Sequence, residues 1–284
     1  MSPQATGLLL YATAVSRPSG IITLLTDFGL SDPFVGVMKG VILTRFRAAL
    51  LVDLTHGVPA QDVVAAAFWL ERSYPWFPVG TVHLAVVDPG VGSRRAQVAV
   101  GAHGHYFVAP DNGLLANIAR SDPNARVRAV DPSDLNLPEP SATFHGRDLF
   151  APIAADLASG RIRFEALGRP SSLEVVPERE PDDESSSEVR AKVIVVDHFG
   201  NLITNVEAPQ AARLAPAEVL IGAEVVAVLA RGGSYASVAK GQLVALVNAQ
   251  GALEVAEREG NAAARLGVGP GAELRIRRRE PDPR

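Results

Sequence analysis

An α/β N-terminal domain, its largely parallel sheet covered by helices, followed by a smaller all-β C-terminal domain, a barrel or sandwich, is the fold the sequence predicts. Three observations carry this. From Ile21 to Gly160, short β-branched apolar runs alternate with stretches whose apolar residues recur at helical spacing. At Pro177 the composition changes: the run PEREPDDESSSE, ending at Glu188, is polar, acidic and rich in Pro and Ser, as an exposed linker would be. Beyond it, short apolar runs are separated by Gly-containing turns, a β pattern. The expected divisions are a flexible extension over 1–19, the α/β domain over 20–176, the linker over 177–188, the β-rich domain over 189–279 and a tail over 280–284.

Taken in order, Ile21 to Leu25 is the first strand, ending in Thr26-Asp27-Phe28-Gly29. Ser31 or Asp32 is placed to cap a helix with Pro33 in its first turn, and Phe34, Val37, Met38, Val41 and Ile42 give that helix an apolar face. Leu50 to Leu54 is a strand carrying Asp53, and Asp62 caps the next helix through Val63, Ala67, Phe68 and Leu70. The uninterrupted apolar run Val82 to Val87 reads as a strand buried on both faces. It stops at Asp88-Pro89-Gly90, because Pro89 has no N–H for the ladder. Gln97 to Gly101 and Tyr106 to Ala109 form a hairpin, the turn Pro110-Asp111-Asn112-Gly113 follows, and Leu114 to Ile118 opens a helix. Arg126 to Val130 is a further strand, 132–140 an irregular loop, and Leu149, Phe150, Ile153, Ala154 and Leu157 line a helix that Gly160 ends. Strands of the second domain fall at Val189 to Val196, Glu218 to Ile221, Val225 to Leu229, Leu243 to Val247 and Leu253 to Ala256.

Composition narrows the function. A net charge of -4 gives no bulk field for nucleic acid or an anionic membrane. Arg275 and Arg277 to Arg279 read as a solvated basic tail. With no cysteine, disulfides, thiolate metal sites and cysteine nucleophiles are excluded. No apolar run approaches the ~20 residues of a spanning helix. The apolar residues Leu8 to Ala12 are too few, and have no Lys or Arg before them, for a secretory leader, so a cytoplasmic protein is expected.

Carboxylates gather at strand ends: Asp27, Asp53, Asp88 and Asp111. Such a set invites a hard-cation site, but no carboxylate–x–His or Asp-x-Asp run supplies close ligands, so no metal is expected. Asp27-Phe28-Gly29 lacks the other kinase elements, and Gly90-x-Gly92 lacks the rest of a dinucleotide or Walker loop. Asp88 is followed by Arg94 and Arg95 a short loop away, either a ligand site beyond a strand end or a structural ion pair. His145 at a helix start is either a proton carrier or a structural histidine. In the second domain, Asp197-His198-Phe199-Gly200-Asn201 joins a carboxylate, an aromatic face and a carboxamide, which suits a polar heteroaromatic ligand. It equally suits an Asx turn with Gly in the left-handed position.

Together these segments resemble the S-adenosylmethionine hydroxide adenosyltransferase family, relatives of the fluorinating and chlorinating adenosyl enzymes. The resemblance runs from about Ile21 to Ile276 and rests on TDFG at 26–29, DPGVG at 88–92 with Arg95, PDNGLL at 110–115, FHGRD at 144–148, DHFGNLITN at 197–205 and GALEVA at 251–256. It implies a trimer with sites between subunits and attack of water or hydroxide on C5′ of S-adenosylmethionine, without cofactor, to release adenosine and methionine. The family's Asp–Arg–His trio falls on Asp88, Arg95 and His145. Asp27 falls on the ribose contact, and Asp197 and Asn201 on the methionine and adenine contacts. Phe28, Phe144, Phe199, Asn248 and Ala249 fall on the remaining substrate positions. At 248–250 this chain reads Asn-Ala-Gln where relatives usually carry Asn-Ser, so a serine hydroxyl is missing there. The halogenating branch is less similar in the loop after Asp88.

Overall fold

A computed structural model of the chain describes residues 17–135, 137–174 and 187–279. Most of the expected extension, residues 177–186 of the linker and the tail lie outside the described residues. The chain divides into two compact units, the boundary falling between Glu178 and Arg179. No described helix is long and apolar enough to cross a membrane.

The first unit is built on a sheet of seven strands, β1 (Ile21–Thr26), β2 (Leu50–Thr55), β3 (Val82–Val86), β4 (Gln97–Ala102), β5 (His105–Pro110), β6 (Arg126–Val130) and β7 (Gly168–Ser171), in the order β2-β1-β3-β5-β4-β6-β7. The sheet is mixed. β2, β1, β3 and β5 pair in parallel, and β4, β6 and β7 extend the sheet by antiparallel pairing that begins at the expected hairpin. The helices are α1 (Phe34–Arg45), α2 (Val63–Ser73), α3 (Ala116–Ser121) and α4 (Ala151–Ala158). Ile22, Leu24, Val82, Leu84, Val86 and Val108 point to one face, where α1 and α4, with the turn just before α4, bury Met38, Ile42, Phe150, Ile153 and Leu157 against them. Fully burying each such side chain contributes roughly 1.5–3 kcal/mol. On the other face Thr23 Oγ1 bonds His83 Nδ1 at 2.8 Å, and burial holds the His83 imidazole well below its ordinary pKa.

Two local expectations change. Neither Ser31 nor Asp32 caps α1; Pro33 takes the N-cap position with no side-chain bond. The face α1 buries is Val35, Met38 and Ile42, whereas Phe34 and Val37 remain exposed, because this helix is apolar on more than one side. Asp62 does cap α2, accepting from Ala65 N at 2.9 Å.

The parallel half positions the chemistry. β1 lies between β2 and β3, so the chain leaves β1 to one side through α1 and returns to the other through α2. In open sheets such a reversal opens a crevice beyond the strands' C-terminal ends. The loops carrying Asp27 and Asp88 follow β1 and β3 at that edge.

The second unit is a closed barrel of β8 (Glu188–Val196), β9 (Leu202–Glu207), β10 (Ala217–Ile221), β11 (Glu224–Leu229), β12 (Leu243–Val247), β13 (Ala252–Glu257) and β14 (Glu273–Arg278), ordered β10-β11-β12-β13-β9-β8-β14. Closure leaves no free edge. Two short helices, α5 (Ala208–Leu214) and α6 (Ala262–Leu266), complete it. β14 corrects the reading of its arginines as a solvated tail. Leu274 and Ile276 point into the core, Arg277 pairs with Glu218 at 2.7 Å and Arg275 with Glu188 at 3.4 Å. Alternation of arginine with buried apolar residues is a strand pattern that charge alone conceals.

Candidate active site

The constellation of the first unit begins where β3 ends. Asn112 Nδ2 donates to Val87 O at 2.8 Å, so the Pro110–Gly113 turn holds the backbone immediately before Asp88. Asp88 Oδ1 accepts from Gly90 N at 3.2 Å and is ion-paired with the Arg95 guanidinium. Both side chains are largely buried. Gly90 leaves room for the guanidinium in this position: a Cβ there would stand 2.5 Å from Arg95 Nη2 and displace it. Gly92, at φ +78°, turns the loop back, and a Cβ there would strike the carbonyl oxygen of Ala142. The Asp88–Arg95 loop therefore lies directly against the segment leading to His145.

That segment is tightly fixed. Asp148 accepts from Ser141 N at 2.9 Å and holds Arg147 through two bonds of 2.6 and 2.9 Å. The Arg147 hydrogen bond brings the Asp148 carboxyl down to about 2. Ser141 Oγ in turn accepts from Phe144 N at 3.1 Å. The chain then enters a single π-helical turn, Gly146–Phe150, ahead of α4, a wide turn that recurs at functional sites. His145 sits at its start, buried, and among the described residues its imidazole makes no hydrogen bond.

Asp27 and Phe28 come from the neighbouring strand end. Thr26 Oγ1 bonds His56 Nδ1 at 2.8 Å and accepts from Phe28 N at 3.2 Å, while Gly29 N donates to His56 O at 2.8 Å. Asp27 Oδ2 accepts from Gln61 N at 2.8 Å, which leaves Oδ1 for a ligand. Phe28, Phe34 and Phe144 meet edge to face, with centroids 5.4 to 6.1 Å apart, and Gly146 admits them because a Cβ there would be 3.3 Å from Phe28 and 3.2 Å from Phe144. The structure thus brings Asp88 and Arg95 into direct contact and joins Phe28, Phe144 and the His145 turn through one aromatic cluster.

The other strand-end carboxylates have different partners. Asp53 pairs with Lys39 at 2.6 Å and His56 at 3.0 Å, and Asp111 accepts from Glu174 N at 2.9 Å. Among the described residues no three His, Asp or Glu side chains gather as a metal cradle.

The barrel carries a second constellation. Asp197 Oδ1 accepts from Phe199 N and Asn201 N, and Oδ2 from Asn201 Nδ2, each at 2.9 Å. This Asx-type turn needs Gly200 at φ +84°, where a Cβ would run into the Asn261 side chain. The Asx-turn reading is the one these bonds show; within it Asn201 is buried with Oδ1 unbonded, and Phe199 is 70% exposed. Asn248 Oδ1 closes its own turn by accepting from Gln250 N at 3.0 Å and Ala252 N at 3.1 Å, and its Nδ2 donates to Glu254 Oε2 at 3.1 Å. Ala249 is exposed at the tip. Sequence reasoning did not single out Glu254 or Tyr235, whose hydroxyl donates to Glu254 Oε1 at 2.7 Å. The available signal was a carboxylate inside the apolar run Ala252 to Ala256.

Family models for the SAM hydroxide adenosyltransferase N-terminal and C-terminal domains match residues 22–168 and 191–275. The chain belongs to this family. An (R)-S-adenosyl-L-methionine hydrolase from Salinispora tropica is 38% identical, covering 91% of this chain and 98% of that protein. A fluorinase from Actinopolyspora mzabensis is 28% identical over 67% of this chain and 72% of its own length. An uncharacterised conserved protein from Thermotoga maritima, solved by crystallography, superposes with a TM-score of 0.84 at 36% identity, covering 90% of this chain and all of that one.

Proposed function

We propose that the protein hydrolyses S-adenosyl-L-methionine to adenosine and L-methionine. The observation that carries this is the Asp88–Arg95 pair at the end of β3, packed against the His145 segment in a chain of this family. The oxygen of water bonds to C5′ of the ribose as the C5′–S bond breaks, and the bonding pair goes to sulfur, which leaves as a neutral thioether. No general acid is needed for such a leaving group, so the protein's task is to place the nucleophile in line and free its lone pair. A guanidinium is not a base in water; Arg95 favours hydroxide character beside it by charge. Asp88 orients the water, and Asp88 or His145 takes its proton. Asp27, with one oxygen unengaged, holds the ribose hydroxyls. Phe28 and Phe144 exclude water from the reacting centre, which strips the shell that blunts a small anion. In the barrel, Asp197, Phe199 and Asn201 bind the remaining parts of the substrate, together with the 248–252 turn.

The reaction as proposed uses no metal or organic cofactor, and the working form is a homotrimer with sites shared between subunits. The deciding experiment is chromatography of S-adenosylmethionine incubated with the pure protein, with and without chelator and with added chloride or fluoride. Adenosine and methionine in equal amounts in every arm are expected. Stoichiometric ligand retention without turnover would make the protein a binding module. A 5′-halo-adenosine would make it a halide enzyme, and loss of turnover on chelation would require a metal. Mixing Asp88→Asn with Asn201→Ala subunits tests the shared site: partial recovery is expected, and none in a mixture proven to exchange would refute it.

A further inference from the structure

We propose that Glu254 is a positioning residue for substrate binding, acting through Tyr235 and Asn248. The inference rests on the reading above of the barrel turns as substrate-binding.

Glu254 stands in the middle of β13 and is 2% exposed. Its strand neighbours are Leu253 and Val255, and its cross-strand partners are Leu246 and Ile203. A carboxylate there is expensive, because burial penalises its charged form. Burial and the nearby charge of Asp197 push its carboxyl upward, against the hydrogen bonds from Tyr235 and Asn248. Among the described residues no cation pairs with it, and a well-packed apolar side chain would occupy the strand without that cost. Stability alone therefore does not account for this residue.

Its two oxygens do account for it. Oε1 takes the Tyr235 hydroxyl and Oε2 takes the Asn248 amide, so one buried carboxyl group ties together two separate turns. Tyr235 stands on the short turn Tyr235–Ser237 and is 45% exposed, with its hydroxyl anchored inward and its ring presented outward. Asn248 has no oxygen left for a ligand. Its Oδ1 serves its own turn, and an inverted amide would set that oxygen against Glu254 and break the turn's bonds as well. Glu254 and the turn's own N–H groups together fix which way the Asn248 carboxamide faces, and Glu254 thereby tethers the turn that presents Ala249. Where the side chain at 249 is only a methyl, the backbone and the Tyr235 ring are what this turn offers a ligand. Glu254 carries none of the reacting groups, so its effect falls on affinity.

The test compares Glu254→Gln and Tyr235→Phe with the wild type for KM, kcat and melting temperature, with Asp197→Ala as a control. Glu254→Gln replaces one acceptor by a donor facing a donor. A rise in KM of at least ~10-fold, about 1.4 kcal/mol of binding, is expected, with kcat within about twofold and melting unchanged or raised. Tyr235→Phe raises KM in the same sense and adds little to Glu254→Gln in the double variant, because both break one network. An unchanged KM in both single variants overturns the proposal, as does a joint fall of kcat and melting temperature, which is the mark of a merely structural carboxylate. If Asp197→Ala raises KM and the Glu254 variants do not, this inference alone fails. If Asp197→Ala also leaves KM unchanged, the reading of the barrel as a substrate site fails with it.

Discussion

Asp88 and Glu254 are both largely buried carboxylates, one at the end of an apolar strand and one within another, yet their partners differ in kind. Asp88 faces a cation, the Arg95 guanidinium, on a loop whose glycines leave room for it. Glu254 faces only neutral donors, with the charge of Asp197 nearby and no cation on either among the described residues. A charge-balanced corner with a guanidinium is a setting for an anionic nucleophile. A corner left negative is a setting for a cationic ligand, since opposite charges at close range gain most where water is scarce. S-adenosylmethionine is a cation and hydroxide an anion. Under the proposed reaction, substitutions at the Asp88 corner and at the Glu254 corner should therefore separate into effects on kcat and on KM.

The largest effect is expected at Asp88. Asp88→Asn keeps the size of the side chain but removes both the charge that holds Arg95 and the acceptor that orients water. General base and orienting groups contribute ~100-fold or more, so kcat for adenosine release should fall by at least that, with KM within about threefold. An equal rise in KM would erase the division of labour. Next, Gly90→Ala drives a methyl into the guanidinium, and Arg95→Lys removes its planar fork. Each should lower kcat ~10-fold, about 1.4 kcal/mol of barrier, and the double variant should lose little more, because both act on one group. Full additivity would show that Gly90 matters for another reason.

On the barrel side the expected effect is smaller and of the other kind. Asp197→Asn keeps an oxygen for the Phe199 and Asn201 backbone N–H groups, removes the charge, and exchanges the oxygen that accepts from Asn201 Nδ2 for a donor. A unit charge ~4 Å away in a water-like dielectric contributes ~1 kcal/mol, so KM should rise ~5-fold with kcat unchanged, measured in steady-state kinetics at low salt. A fall in kcat without a change in KM would place Asp197 with the nucleophile.

Much of the fold is legible in the amino-acid sequence, and what is not has physical causes. The run Val82 to Val87 reads as a buried strand and Asp62 before Val63 as a helix start, and both are found, because each signal is local. The pairing of Arg95 with Asp88 was legible as proximity across a glycine loop. The face α1 buries was not, because a helix carrying Phe34, Val35, Val37, Met38, Val41 and Ile42 offers several apolar stripes and only the sheet selects one. β14 was masked by its arginines, whose heads find Glu218 and Glu188 on the neighbouring strands β10 and β8, contacts that sequence distance conceals. The antiparallel half of the sheet followed from the hairpin but was outweighed by the alternation of strands and helices. Tyr235 and Glu254 are 19 positions apart, and nothing in either segment announces the other.

The smallest effect concerns stability and has opposite signs in the two units. Asp148, held by Arg147 in the segment around His145, has its carboxyl brought down to about 2. Its contribution is therefore complete above the ordinary carboxylate range near ~4 and is lost only as pH falls from there toward 2. Glu254 is raised by burial. The folded barrel then binds a proton more readily than the unfolded chain, so its contribution is complete below ~4 and is lost as pH rises through the raised value. Thermal unfolding from pH 7 to 3 should show this as a trend between variants, read at the transition of the unit concerned. Relative to wild type, Glu254→Gln is most favourable at pH 7 and loses its advantage steadily on acidification. Asp148→Asn is less stable by a constant margin down to about pH 4, and the margin closes only below it. Parallel curves for the two variants would mean that the carboxylates sit in equivalent electrostatic surroundings, and the contrast between a cation-paired corner and a cation-free one would fail.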